Sequence, residues 1–218
     1  MTQVMLYAAW NAVGLLAAFI VSRRLSFPGE QGRITRGMFS AVLVGGILGA
    51  KLPVWFSFGF EPMFYWDGKT FFGGLLGGFF GMTLYKAVFR IPGGGFGDRF
   101  VIPLCVAAGF GKIGCFYNGC CGGRSFGEFI PSTQLYESVF QFLLAGLFLL
   151  LYRYHKGKKL WFPLYMLLYM SMRFFMEFLR NEPAIGSFLT VYQILALVFI
   201  PVFGIILWRR VRERRIDL

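Results

Sequence analysis

The chain has a single histidine, His155, among 218 residues. A zinc site built on imidazole, or a base relying on it, must therefore use that one side chain, and it falls in a connection between apolar runs. Acidic residues are scarce as well, ten against 22 lysines and arginines, for a formal charge of +12. No polar stretch is long enough to form a second domain, so residues 1–218 read as one. Pro92-Gly93-Gly94-Gly95 lacks the Gly-Lys-Ser/Thr that completes a phosphate loop and reads as a flexible turn. No cation precedes the first apolar run and Arg23-Arg24 follow it directly, so it is expected to stay as a helix and not to be removed as a signal sequence.

Hydrophobic residues, in contrast, make up 57% of the chain and aromatics 20%. The apolar runs repeatedly reach the roughly 18 to 20 residues that cross a bilayer as helix. The reading is an all-α polytopic integral membrane protein with seven transmembrane helices near 4–22, 38–58, 70–90, 99–118, 133–152, 161–180 and 189–208. Cations crowd alternate connections. Arg23, Arg24, Arg33 and Arg36, then Lys86, Arg90 and Arg99, then Arg153, Lys156, Lys158 and Lys159, then Arg209, Arg210, Arg212, Arg214 and Arg215 give sixteen on one side. Lys69, Arg124 and Arg180 give three on the other. The bias sets the N-terminus outside and the C-terminus in the cytoplasm. Anionic lipid headgroups account for the basic tail, and no nucleic acid partner is expected.

Lys51, Lys112 and Arg173 are the three cations left, each about six or seven residues before the outer end of its span. At 1.5 Å per residue that is roughly 10 Å below the outer interface for all three. Each side chain could snorkel alone to the headgroups. A common depth on separate helices favours instead one cavity open to the outer leaflet and a shared anionic guest, a phospholipid phosphate being the obvious one. Small residues support close helix packing: Gly73, Gly77 and Gly81, Gly74 with Gly78, and Gly45 with Gly49 recur every fourth position.

Cys115, Cys120 and Cys121 follow Lys112 near the outer face, whereas Cys105 is expected inside its span. Their spacing is not a recognised zinc pattern and His155 lies on the opposite side, so no metal and no cofactor are expected. A local disulfide, inert thiols and a reactive thiolate beside Lys112 stay open as alternatives. Two polar clusters join them. Ser132-Thr133-Gln134-Leu135-Tyr136-Glu137 opens the fifth span, and Tyr169, Arg173, Glu177 and Arg180, spaced by four, four and three, are expected on one helical face.

Gly111-Lys112-Ile113-Gly114-Cys115-Phe116-Tyr117-Asn118-Gly119 resembles the G-R-x-G-N-F-x-N-G signature of prolipoprotein diacylglyceryl transferases. Gln134-Leu135-Tyr136-Glu137 is similar to that family's Q-L-Y-E, and Arg173-Phe174-Phe175-Met176-Glu177-Phe178-Leu179-Arg180 to its R-F-x-x-E-F-x-R. Gly49-Ala50-Lys51-Leu52 resembles G-A-R-L, and Phe72-Gly73-Gly74-Leu75-Leu76-Gly77-Gly78 resembles H-G-G-L-x-G-G. The resemblance covers five of the seven spans in order. It implies transfer of diacylglyceryl from phosphatidylglycerol to a prolipoprotein cysteine thiol at the outer leaflet of a bacterial cytoplasmic membrane, with release of glycerol phosphate. By position, Lys112 stands where the family has an arginine, Arg173 and Tyr169 match another arginine and a tyrosine, and Glu177 and Arg180 would orient them. Phe72 replaces a histidine, Cys115 an asparagine and Cys120 a glutamate.

The sequence thus reads as a phospholipid-dependent transferase whose acceptor is open, a lipoprotein thiol among the candidates. Catalytic roles fall to Lys112, Arg173, Tyr169, Glu177, Cys115, Cys120 and Cys121. Substrate contacts fall to Lys51, Phe72, Asn118, Gln134, Tyr136, Glu137 and Arg180. A non-catalytic lipid or anion carrier and a thiol redox membrane protein are the alternatives.

Overall fold

The computed structural model describes residues 2–25, 32–58, 70–91, 94–125, 128, 130–154, 157, 159–180, 182, 184–185 and 189–216. Lys69, Pro92, Gly93, His155, Lys156 and Lys158 lie outside them. Seven α-helices follow in order: α1 Gln3–Arg24, α2 Gly32–Phe58, α3 Phe71–Val88, α4 Asp98–Asn118, α5 Thr133–Arg153, α6 Trp161–Met176 and α7 Val191–Ile216. A 3-10 turn, Glu177–Leu179, continues α6, and a two-stranded antiparallel ladder of β1 Ala184–Ile185 with β2 Leu189–Thr190 precedes α7.

The architecture is all-α, and six helices, all but α6, are long and apolar enough to cross a membrane. The expected sixth span, 161–180, is helical only to Met176 before its 3-10 turn. The reason is a competing backbone interaction: Arg180 bridges Gly123, and the Arg124 N–H donates to the Leu179 carbonyl at 2.7 Å, drawing the chain into extended geometry. Helix α7 starts two residues later than expected because Thr190 and Gln193 form a capping box. The Gln193 N–H donates to Thr190 Oγ1 at 3.3 Å, and the Thr190 N–H to Gln193 Oε1 at 3.1 Å.

Polarity is arranged inside out along α5. Thr133, Gln134, Glu137, Ser138 and Gln141 are buried on one face, while Val139, Leu143, Leu147 and Leu150 are exposed on another. In water that arrangement would be costly. In hydrocarbon it places apolar side chains against lipid and polar ones in the protein interior.

The described chain divides into two compact units. The larger comprises residues 1–27, 95–181 and 196–218. In it α4 packs against α1, α5 and α6. Asp98, at the start of α4, accepts the Phe162 N–H at 3.0 Å and so caps the first turn of α6. Ser138 donates to the Gly109 carbonyl at 2.9 Å, and the Phe142 ring fills the space beside Gly109, holding α5 close to α4.

The smaller unit comprises residues 28–94 and 182–195, and in it α2 packs against α3. The glycine repeats form that contact. A Cβ on Gly77 would strike the Gly45 carbonyl oxygen, and one on Gly49 would strike the Gly73 carbonyl oxygen. Because the obstruction is backbone, no rotamer change relieves it. Gly77→Val is therefore expected to destabilise by at least about 3 kcal/mol, read as a lowered thermal midpoint in detergent; an unchanged midpoint would contradict the packing.

Candidate active site

The site in the larger unit begins with the way α4 ends. Asn118-Gly119 closes the helix in a Schellman motif, with Gly119 in the left-handed region at φ +70°. The Cys120 N–H returns to the Cys115 carbonyl at 3.2 Å, and the Gly119 N–H to the Phe116 carbonyl at 3.1 Å. The chain thereby folds Cys120 back over Cys115. Cys121, also at positive φ (+61°), turns it again. That conformation is costly for a residue with a Cβ and needs support from its surroundings.

Neighbouring elements supply that support through the backbone. Thr133 donates its hydroxyl to the Cys121 carbonyl at 2.8 Å, and Arg180 Nη1 donates to the same oxygen at 3.1 Å. Gln134 Nε2 donates to the Cys120 carbonyl at 2.8 Å. Three side chains from α5 and the segment after α6 thus hold two successive cysteine carbonyls. The sulfurs of Cys115, Cys120 and Cys121 lie within 4.8 Å of one another. All four cysteines are free thiols, and Cys105 is fully buried as expected. The Cys121 thiol is held below the ordinary thiol range, first by hydrogen bonding with Cys115 and Cys120 and then by the charges of Lys112 and Arg180.

Behind this loop the charged groups converge on Glu137. Lys112 Nζ lies 2.6 Å from Glu137 Oε2, and Arg173 Nη1 lies 2.8 Å from Glu137 Oε1. Arg173 Nη2 reaches Glu177 Oε2 at 3.0 Å, so one guanidinium spans two carboxylates. Arg180 approaches both, Nη1 at 3.6 Å from Glu137 and Nε at 3.9 Å from Glu177. Glu137, Arg173, Glu177 and Arg180 are buried, whereas the Lys112 side chain keeps 14% exposure. Charges so deep persist because each is paired, and removing one partner from such a set is expensive.

The sequence expectations divide accordingly. Lys112, Arg173, Glu177, Arg180 and Glu137 meet in one cluster. Arg180 reaches it as an extended residue after the 3-10 turn, not from the helical face on which the spacing set it, because the backbone bridge to Gly123 takes it out of the helix. Tyr169 is buried one turn before Arg173, its ring stacked on Tyr165 at 6.0 Å. Asn118 ends α4, with its amide in hydrogen-bonding reach of the Cys120 sulfur. Gln134 holds the loop, and Tyr136 is exposed, 47%, away from the cluster. Lys51 and Phe72 belong to the smaller unit, Lys51 half-buried on α2 and Phe72 buried on α3, edge-on to Tyr192 at 6.3 Å. Ser138 and Gln141 were missed; with Thr133, Gln134 and Glu137 they form a buried polar face whose members recur every three or four positions through an apolar helix, a signal present in the sequence.

A family model described as prolipoprotein diacylglyceryl transferase matches residues 1–209 of this chain. The chain belongs to the prolipoprotein diacylglyceryl transferase family. Among curated relatives, phosphatidylglycerol–prolipoprotein diacylglyceryl transferase 2 of Clostridium perfringens is 33% identical over 211 residues, covering 82% of this chain and 80% of the relative. The phosphatidylglycerol–prolipoprotein diacylglyceryl transferase of Clostridium tetani is 31% identical over 227 residues, covering 89% and 90%. That of Chlorobaculum tepidum is 26% identical over 254 residues, covering 98% and 87%. As a prolipoprotein diacylglyceryl transferase family member, the chain is a membrane transferase, and the carrier and redox readings give way to it.

Proposed function

We propose that this transferase moves diacylglyceryl from phosphatidylglycerol to a thiol acceptor, a prolipoprotein cysteine, at the outer leaflet of the bacterial cytoplasmic membrane. The relatives' names support the two substrates. Seven spans and an outer N-terminus belong to the proposal. Helix α6, 16 residues or about 24 Å long, nears the roughly 30 Å hydrocarbon thickness once its 3-10 turn adds about 6 Å. The sixteen-to-three cation bias supports the orientation. One family model running through residues 1–209 supports treating the chain as one domain.

The observation that carries the reaction is the meeting of three cations, from three elements, on one buried carboxylate. Transfer breaks the glycerol C–O bond and leaves its electron pair on the phosphate. Cations already fixed in a site poor in water stabilise that growing charge without reorganising. Glu137 and Glu177 hold the Arg173 guanidinium in place. Lys112 spends one N–H on Glu137, which leaves two for phosphate oxygens, and it is the accessible member of the cluster. Tyr169 packs behind. With both carboxylates engaged in ion pairs, activation of the acceptor thiol falls to the cluster of Cys115, Cys120 and Cys121. Asn118, Gln134 and Arg180 position that loop; Lys51, Phe72 and Tyr136 enter as substrate contacts through their sequence positions alone.

Lys112→Ala is expected to slow release of the headgroup phosphate from labelled phosphatidylglycerol about 100-fold, with a smaller loss of thermal midpoint than a change at Arg173, since Glu137 keeps Arg173 and Arg180 beside it. Lys112→Arg should retain most activity. Equal turnover in the alanine variant and the parent would overturn the mechanism.

A further inference from the structure

The cysteine loop is built more firmly than packing requires. Its backbone bends twice through the left-handed region, at Gly119 and Cys121, and Thr133, Gln134 and Arg180 are used to hold the carbonyls of Cys120 and Cys121. The result is three free sulfurs within 4.8 Å, two on half-buried residues and one, Cys121, on an exposed residue. Sulfurs bound to one tetrahedral zinc at about 2.3 Å lie roughly 3.8 Å apart. About 1 Å of closure, within the reach of cysteine χ1 rotation, brings the observed set to that geometry. Zinc was not expected from the sequence because the spacing matches no recognised zinc pattern and no histidine is at hand; a three-thiolate set needs no histidine, and the bends at Gly119 and Cys121 bring the sulfurs together despite the spacing.

We propose that Cys115, Cys120 and Cys121 form a zinc site whose open fourth position receives a thiol as its thiolate. The second half rests on the transferase reading above. Binding Zn(II) displaces three protons from the cysteines to water and gives a complex of charge −1, with Arg180 bonded to the Cys121 backbone and Lys112 one turn before Cys115 as neighbouring cations. A thiol entering the fourth position loses its proton to water and becomes a nucleophile at neutral pH. Its sulfur electron pair forms the C–S bond as the glycerol C–O pair departs on the phosphate. The chain would thereby supply by coordination what a general base supplies elsewhere, without the histidine that Phe72 replaces in the family resemblance.

The test uses the full chain in detergent, reduced and stripped of metal, with Co(II) as the visible probe. One Co(II) per chain is expected, with a thiolate-to-cobalt charge-transfer absorption that stoichiometric Zn(II) abolishes. Zn(II) should also slow alkylation of the three thiols at least about 10-fold, and the C115S, C120S, C121S triple variant should bind at least about 10-fold more weakly. Cys105→Ser should behave as the parent. N-acetylcysteine amide added to the cobalt form should shift and intensify the absorption. No charge-transfer absorption in the parent, an equal one in the triple variant, or alkylation indifferent to Zn(II) would overturn the site. A cobalt spectrum indifferent to added thiol would overturn the fourth-position role. Phosphate release by the Lys112 variants, measured on zinc-loaded protein, reports on the transferase reading separately, because the cobalt and alkylation readouts need neither phospholipid nor turnover.

Discussion

Arg173→Ala is expected to slow transfer by at least about 1,000-fold, the upper end of the loss seen when one fixed donor to a developing anion is removed. Arg173 touches both carboxylates, Glu137 at 2.8 Å and Glu177 at 3.0 Å, so its removal also leaves two buried acids with fewer partners. A stability loss of about 3–5 kcal/mol should accompany the change. Arg173→Lys separates the two effects. A single ammonium keeps the charge yet cannot span both carboxylates, so the protein should keep most of its stability and still lose roughly 100-fold in rate. Headgroup release from labelled phosphatidylglycerol, measured beside the thermal midpoint, checks both numbers. Parent-like turnover in Arg173→Lys would show that bridging is irrelevant to the chemistry.

Glu137→Gln should be the most destabilising isosteric change in the cluster. Glu137 faces Lys112, Arg173 and Arg180 together, and glutamine keeps the shape while deleting the charge that compensates all three. The expected cost is again about 3–5 kcal/mol. It should be recovered in part by adding Lys112→Gln, which removes one of the stranded cations. An unchanged midpoint in Glu137→Gln would mean that Glu177 alone suffices, and a double variant no better than the single would place the loss outside the Lys112 pair.

The convergence of Lys112 with Arg173 was legible in the sequence because intramembrane cations are scarce and helix rise converts position into depth. The helices were legible for a similar reason, long apolar runs broken by clustered cations. The hub was harder to see. Glu137 stood in a polar hexapeptide beside Gln134 and Tyr136, and sequence spacing could not tell which member turned inward; α5 buries Glu137 and exposes Tyr136. Arg180 was misplaced because periodicity assumes that the helix continues, and a single backbone bridge to Gly123 ended it. The cysteine loop escaped for the opposite reason. The bend at Cys121 depends on Thr133 and Arg180, residues 12 and 59 positions away.

The order in which these charges pair bears on how the chain enters a bilayer in the first place. A lone lysine, arginine or glutamate emerging into hydrocarbon would oppose insertion by a few kcal/mol apiece. Lys112 and Glu137 sit on consecutive helices, so α4 and α5 can leave the insertion machinery as a hairpin whose opposite charges already neutralise each other. Arg173 and Glu177 lie one turn apart in the chain, so α6 carries its own counter-ion before any neighbour arrives. With Arg180 the second piece carries a net charge of +1, and its links to the first, Arg173 and Arg180 to Glu137, wait for both to be present. Biogenesis would then proceed through intermediates with a net buried charge of at most one, and the last contacts to form would be those that complete the anion site.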